Sequence, residues 1–216
     1  MSLVLTHRLW YTTYLDREPV RSSEMLIKAQ DSVLVVIDMQ ERLVSAMVEP
    51  DHTIKNTRLL LQVAEKTMVP ALLTEQYPEG LGATISTIRN AASQSLVLPK
   101  VHFSCMQDSG FVTAFTSLNR PQVILTGMEA HICVVQTAAS LADAGYEVFV
   151  VSDAIASRTS ENKNACLTRL NAAGVSIVTT EMVIFEWLGQ AGTSAFKEIL
   201  LLIKQHEIQG EINEYP

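Results

Sequence analysis

The stretch Ser-Val-Leu-Val-Val-Ile at residues 32–37 decides the fold, because it is apolar and β-branched without alternation. Such a run predicts a strand buried on both faces, as in parallel sheets. Strands that alternate with helices predict an α/β fold of three layers, a six-stranded parallel sheet with helices on both faces. Further strands are predicted over 69–74, 96–98, 123–126, 146–151 and 175–179, and helices over 52–66, 110–118, 131–144, 161–173 and 194–204, with a short helix ending at Arg89.

The composition fits one globular domain, since 48% of the 216 residues are apolar and 18% are charged. We expect this domain over residues 26–208, between an N-terminal extension at 1–25 and a C-terminal tail at 209–216. The net charge of -7 predicts no nucleic-acid partner and no membrane partner, because both need clustered basic residues. A mean hydropathy of +0.19 predicts that apolar surface is buried in a homo-oligomer.

Three cysteines cannot form a disulfide framework, because one would be left unpaired, and this indicates a reducing compartment. We therefore expect a cytoplasmic protein. Arg8, Arg17 and Arg21 stand among hydroxyl residues as in a transit peptide, so mitochondrial import is the alternative, although Asp16 and Glu18 weaken it. No apolar run of the sequence is long enough to span a bilayer.

Polar residues follow several of the predicted strands. Asp38 follows the first strand and Lys100 the third, and a segment that ends in Cys133 follows the fourth. Ligands of open parallel sheets bind at the carboxyl ends of the strands, so these side chains should meet at one edge. Glu75 and Asp153 follow the second and fifth strands and are candidates on the same ground, although a single polar residue there is most often a turn or capping residue.

A carboxylate, an ammonium and a thiol at one edge are suited to nucleophilic catalysis. Cys133 falls in the first turn of a predicted helix, where unpaired N–H groups favour an anion. The Lys100 ammonium would favour the thiolate further, so we expect a Cys133 pKa below the free value of about 8.5. Asp38 could take the thiol proton and later deliver it to a leaving group.

Longer motifs around these residues resemble the isochorismatase-like cysteine hydrolases. The motifs are Val-Ile-Asp-Met-Gln at 36–40, Leu-Pro-Lys-Val-His-Phe-Ser at 98–104 and Gly-Met-Glu-Ala-His-Ile-Cys-Val-Val-Gln-Thr at 127–137. Thr-Glu-Gln-Tyr-Pro-Glu-Gly-Leu-Gly at 74–82 is similar to the isochorismatase domain-containing branch. The similarity spans residues 30–204. It implies a six-stranded sheet of Rossmann-type topology with Asp38, Lys100 and Cys133 as a catalytic triad.

The resemblance also implies a mechanism. The peptide between Met128 and Glu129 would be cis, and the backbone N–H groups of Glu129 and Cys133 would form the oxyanion hole. The thiolate would attack the carbonyl of a small molecule at an amide or other C–N bond, the amine would leave as a thioester forms, and water would then hydrolyse the thioester. We expect substrate contacts from Gln40, Tyr77, Phe103 and Met128.

Two departures from the family's patterns narrow the substrate. Nicotinamidases of the family carry an Asp-x-His metal motif after the second strand, where this chain has Glu75, Gln76 and Tyr77. This disfavours nicotinamide, and we expect no metal and no cofactor. True isochorismatases lack the cysteine nucleophile, so the presence of Cys133 favours C–N bond hydrolysis or another acyl transfer.

Three other interpretations are open. The first is a non-catalytic small-molecule-binding or scaffold protein of the same fold, because fold alone does not define function. The second is a zinc site built from His102, Cys105, His131 and Cys133, although these spacings are loose and Lys100 would repel a cation. The third is a redox role in which Cys133 pairs with Cys105.

Overall fold

Six parallel strands form one sheet, which confirms the predicted fold class. They are β1 (Ser32–Ile37), β2 (Ala71–Gln76), β3 (Leu96–Lys100), β4 (Gln122–Met128), β5 (Glu147–Ala156) and β6 (Ser176–Val178). Their order in space is β3-β2-β1-β4-β5-β6, and every neighbouring pair is parallel. This is the strand order of a Rossmann-type fold.

The structure is a computed structural model that describes residues 26–214, with side chains described as far as residue 206. The predicted extension at 1–25 lies outside the described residues, and the predicted domain boundaries stay a prediction. Within the described residues, none of the helices has both the length and the hydrophobicity needed to cross a membrane.

Helices cover both faces of the sheet. They are α1 (Glu41–Val44), α2 (Pro50–Lys66), α3 (Pro78–Leu81), α4 (Ser86–Ala91), α5 (Ser109–Ser117), α6 (Val135–Asp143), α7 (Ser160–Ala172), α8 (Thr180–Leu188) and α9 (Ser194–Glu214). A π-helical segment, Ala130–Val134, leads from β4 into α6. The polypeptide thus crosses from strand to helix through an irregular turn at the carboxyl end of the central strand β4.

Strand β1 lies between two apolar cores, as its sequence predicts. Leu34 and Val36 belong to the core formed with α2, α8 and α9. Val33, Val35 and Ile37 belong to the core formed with α5, α6 and α7. Every residue of β1 is buried, because alternate side chains point to opposite faces and both faces are covered.

Two elements differ from the prediction. Helix α8 was not predicted, because its sequence Thr-Glu-Met-Val-Ile-Phe-Glu-Trp-Leu is rich in β-branched and aromatic residues that obscure a helical pattern. Its start is nevertheless capped, since the Thr179 side chain accepts a hydrogen bond from the Met182 N–H. Strand β5 extends to Ala156, past the predicted end, because its pairing with β4 shifts register between Leu125 and Gly127 and then resumes.

Gly127 lets the central strands come together at the edge that carries the candidate site. Its φ is +112°, and a Cβ there would lie 2.0 Å from the Ile37 carbonyl oxygen. Only glycine fits both the backbone conformation and the close approach. The carboxyl ends of β1 and β4 are therefore adjacent, at the point where the strand order reverses.

Candidate active site

The sheet brings the three predicted triad residues into one buried cluster. Lys100 Nζ lies 2.7 Å from Asp38 Oδ2, and both side chains are fully buried. Lys100 Nζ also donates to Gln76 Oε1 over 2.6 Å, and this oxygen lies 3.9 Å from Cys133 Sγ. The residues come from the ends of β1, β2 and β3 and from the π-helical segment after β4, as the rule for ligand sites in open parallel sheets predicts.

The Lys100 ammonium is held from several directions. It pairs with the Asp38 carboxylate and donates to Gln76 and to the backbone oxygens of His102 at 3.2 Å and Phe103 at 3.4 Å. Burial alone would lower the pKa of Lys100, but the Asp38 carboxylate raises it above its ordinary value. Lys100 therefore stays positively charged inside the protein.

Asp38 is oriented by a second contact. Its Oδ1 accepts a hydrogen bond of 2.7 Å from the Thr74 hydroxyl, while Oδ2 receives the Lys100 ammonium. Asp38 has a φ of +50°, in the left-handed region that few residues other than glycine adopt. The chain thus turns sharply as β1 ends, and the carboxylate lies inside the protein opposite the ends of β2 and β3.

Cys133 does not have the low pKa that its sequence context predicts. Burial raises the pKa of the thiol above its ordinary value, and the negative charge of Asp38 raises it further. Lys100 acts in the opposite direction but does not compensate, because its charge is already shared with Asp38. The resting state therefore holds a neutral thiol beside an ion pair, and the expectation of a Cys133 pKa below the free value is wrong.

Sequence reasoning missed Thr74 and Gln76, which contact the triad, and selected Glu75 between them. Residues 74 and 76 share one face of β2, because side chains alternate along a strand. Glu75 points the other way, where its carboxylate accepts hydrogen bonds from the backbone and hydroxyl of Thr84, both at 2.7 Å. The alternation of side chains along β2 is the signal in the sequence that could have identified Thr74 and Gln76.

Asp153 is also a structural residue. It lies within β5, not after it, and its Oδ1 accepts hydrogen bonds from the backbone N–H of Thr180 at 2.8 Å and from its hydroxyl at 3.0 Å. The carboxylate therefore caps the start of α8. Capping of a helix start is a common role for an aspartate.

Gln40 and Met128 do not present free side chains to a substrate. Gln40 is fully buried, and its amide donates to the backbone oxygens of Gln76 and Gly82 and accepts from the Gln76 N–H. Met128 is fully buried in the core shared with α2. The prediction that these two side chains contact a substrate is therefore wrong. Gln40 holds the end of β2, and Met128 fills the core.

Tyr77 and Phe103, the other two predicted substrate contacts, are exposed. Their side chains are 56% and 51% exposed, which contrasts with the buried triad. The Tyr77 N–H donates to the Lys100 carbonyl over 2.8 Å, and the Phe103 carbonyl accepts from the Lys100 ammonium. The backbones of both aromatic residues therefore contact Lys100, although the Lys100 side chain itself is buried.

The segment before Cys133 has the backbone form that the resemblance implies. The peptide between Met128 and Glu129 is cis. The Glu129 carbonyl accepts from the N–H groups of Ile132 at 3.1 Å and Val134 at 3.2 Å. The Glu129 side chain forms an ion pair of 2.8 Å with the Nε of Arg158, which follows β5 at the same edge.

The residues of the zinc interpretation have other partners. His102 Nδ1 lies 3.1 Å from Asp108 Oδ2, and His131 Nδ1 lies 3.0 Å from the Ser157 hydroxyl. Cys105 is buried and its backbone N–H donates to Thr137. Among residues 26–214, no group of three histidine, cysteine or acidic side chains is arranged to hold a metal ion.

The fold and this edge define a class, the parallel α/β proteins with a cysteine-hydrolase fold. The chain belongs to the isochorismatase family, because the family model for the isochorismatase domain matches residues 32–182. It is 38% identical to the secreted isochorismatase effector Isc1 of Phytophthora sojae, over 81% of this chain and 85% of that protein. It is 36% identical to isochorismatase domain-containing protein 2 of Danio rerio, over 82% and 89%.

A solved structure supports the same assignment. The structure described as the MAR1 ribonuclease of Caenorhabditis elegans superposes with a TM-score of 0.77 at 34% identity, covering 82% of this chain and 92% of that one. The family predicted from the motifs is therefore confirmed.

Proposed function

We propose that the chain is a cysteine hydrolase that cleaves an amide or another C–N bond of a small molecule through a thioester. The observation that carries the proposal is the buried ion pair of Lys100 and Asp38 beside the Cys133 thiol. A charged pair in the protein interior costs desolvation energy, and such sites often have catalytic functions. Asp38, Lys100 and Cys133 are the catalytic residues of this proposal.

The raised pKa of Cys133 indicates how the reaction begins. Because the resting thiol is neutral, proton transfer to the Asp38 carboxylate accompanies attack of Sγ on the carbonyl carbon. The backbone N–H groups of Glu129 and Cys133 stabilise the resulting oxyanion. Lys100 stays charged and stabilises the thiolate sulfur as Asp38 becomes neutral.

The remaining steps use the same proton. As the tetrahedral intermediate collapses, the C–N bond breaks and protonated Asp38 gives its proton to the leaving amine, which yields a thioester on Cys133. Water then attacks the thioester and gives a proton to Asp38. When the C–S bond breaks, the acid leaves and Asp38 returns its proton to the sulfur.

Burial argues for a small substrate. Cys133 is only 4% exposed, whereas Tyr77 and Phe103, whose backbones contact Lys100, are about half exposed. The aromatic side chains suit a partly apolar compound that reaches the thiol between them. The description of the Caenorhabditis elegans relative as a ribonuclease makes RNA a second candidate, but the net charge of -7 disfavours a polynucleotide.

The test is ammonia or amine release from a panel of small primary amides and N-carbamoyl compounds, with and without a strong chelator. We expect hydrolysis of at least one compound by the wild type, unchanged by the chelator, and none by Cys133→Ser. A matched control is Cys166→Ala, whose thiol donates to the Ala130 carbonyl in the core and should not be needed. Wild-type activity retained by Cys133→Ser contradicts the proposal, as does cleavage of RNA but of no amide.

A further inference from the structure

The amide group of Gln76 has only one acceptable orientation. Its Nε2 donates to the Val101 carbonyl over 2.7 Å, which directs Oε1 toward Lys100 Nζ at 2.6 Å. A flipped amide would set its oxygen against the Val101 oxygen and its NH₂ against the ammonium. The backbone of Gln76 is fixed as well, because its N–H and C=O both bond to the buried Gln40 amide.

The fixed oxygen lies between two of the reacting groups. It accepts from the Lys100 ammonium and lies 3.9 Å from Cys133 Sγ, within reach of a thiol hydrogen bond. The ammonium donates its three hydrogens to Gln76 and to the backbone oxygens of His102 and Phe103, while its charge pairs with Asp38. In this arrangement Lys100 has no hydrogen left for the sulfur.

We infer that Gln76 is a positioning residue that keeps Cys133 protonated at rest by holding one hydrogen of Lys100 away from the sulfur. This inference rests on the proposed function, in which Cys133 is the nucleophile. The charge of the site then changes only when a substrate carbonyl arrives and Asp38 takes the thiol proton. Gln76 thereby suppresses a standing thiolate that would react with other electrophiles.

Two substitutions should shift the ionisation of Cys133 in opposite directions. Gln76→Met keeps the side-chain length but removes the acceptor, so Lys100 can turn to the sulfur and favour the thiolate. Gln76→Glu adds a negative charge next to the sulfur and disfavours it. We expect labelling of Cys133 by iodoacetamide near pH 7 to become about tenfold faster in Gln76→Met and about tenfold slower in Gln76→Glu.

Hydrolysis should respond differently from labelling. Both variants should lose at least about tenfold in kcat, because neither holds Lys100 and the thiol in place for coupled proton transfer. The control is Glu75→Gln, on the opposite face of β2, which keeps an oxygen for Thr84 and should label and hydrolyse as the wild type does. A purely structural role of Gln76 would lower activity without opposite shifts in the labelling rates.

The labelling of all three cysteines is followed by peptide mass spectrometry in one sample. A loosened fold exposes Cys105 and Cys166 as well, whereas our inference predicts a change at Cys133 alone; if Gln76→Glu does not fold, Gln76→Met decides. Labelling of Cys133 that follows the wild-type pH profile in Gln76→Met overturns the inference. Full activity of Cys133→Ser would instead overturn the proposed function, so the two failures are distinguishable.

Discussion

Lys100 Nζ and Asp38 Oδ2 form an ion pair of 2.7 Å whose two side chains have no exposed surface. Removing one partner leaves the other charge buried without compensation, which typically costs about 3–5 kcal/mol. The pair is thus both a determinant of stability and, in our proposal, the proton acceptor and electrostatic partner of Cys133. Single substitutions separate these two roles.

Asp38→Asn should lower the pKa of Cys133, because the Asp38 charge is one of the causes that raise it. The thiol should then be labelled faster by iodoacetamide near neutral pH, while hydrolysis falls by about 100-fold or more for lack of a proton shuttle. Lys100→Met should raise the pKa of Cys133, because the Lys100 charge lowers it. Labelling rates against pH, in variants shown by thermal unfolding to be folded, provide the measurement. Slower labelling of Asp38→Asn than of the wild type would count against this electrostatic account.

The stability of the protein should fall at alkaline pH. Burial raises the pKa of Cys166 from its ordinary value of 9.0 to about 11. A raised folded-state pKa contributes stability below the unfolded-state pKa, and this contribution is lost as pH rises toward the folded-state value. Cys166→Ala removes the group, so its unfolding free energy should decline less than that of the wild type, by about 1 kcal/mol between pH 8 and 10. The measurement is urea unfolding at several pH values. An unfolding free energy that declines with pH equally in Cys166→Ala and the wild type would contradict the prediction.

Gly127→Ala should prevent folding or cost more than about 4 kcal/mol, because the new Cβ would meet the Ile37 backbone. Gly145→Ala is the matched control, since Gly145 also has a positive φ, +89°, but nothing lies within 4 Å of its Cβ position. We expect the control to lose only about 1–2 kcal/mol from the backbone conformation. Denaturant unfolding of both variants compares the two costs, and equal losses would show that the contact with Ile37 is unimportant.

The sheet and the triad could be predicted from sequence because each rests on a local signal. An apolar β-branched run such as residues 32–37 specifies a strand buried on both faces, and strand ends specify where polar side chains meet. Glu75 and Asp153 show the limit of that rule. They carry the same signal as Asp38, and only their long-range bonds to Thr84 and Thr180 reveal a structural role.

The ionisation of the site could not be predicted from sequence. The helix position and Lys100 both indicated a low pKa for Cys133, but burial outweighs them, and burial depends on the whole fold. Gln76 was missed for a related reason. A neutral amide within a strand carries no charge or motif signal, and its importance comes from where Lys100 and Val101 place it.

The apolar composition of the chain predicts a homo-oligomer. The mean hydropathy is +0.19, and Tyr77, Val101 and Phe103 are exposed apolar or aromatic side chains near the candidate site. Light scattering at micromolar concentration should give a mass that is a multiple of 23.8 kDa. A uniform mass equal to that of one chain would refute the prediction.

The most direct test of the nucleophile is to trap the acyl group on the enzyme. The protein is mixed with p-nitrophenyl acetate, an activated ester, quenched in acid after a short delay, and digested for peptide mass spectrometry. Our account predicts a burst of p-nitrophenol and one acetyl group on Cys133, with neither in Cys133→Ala and both retained in Cys166→Ala. An acetyl group found on another residue, or a burst that survives in Cys133→Ala, would contradict the account.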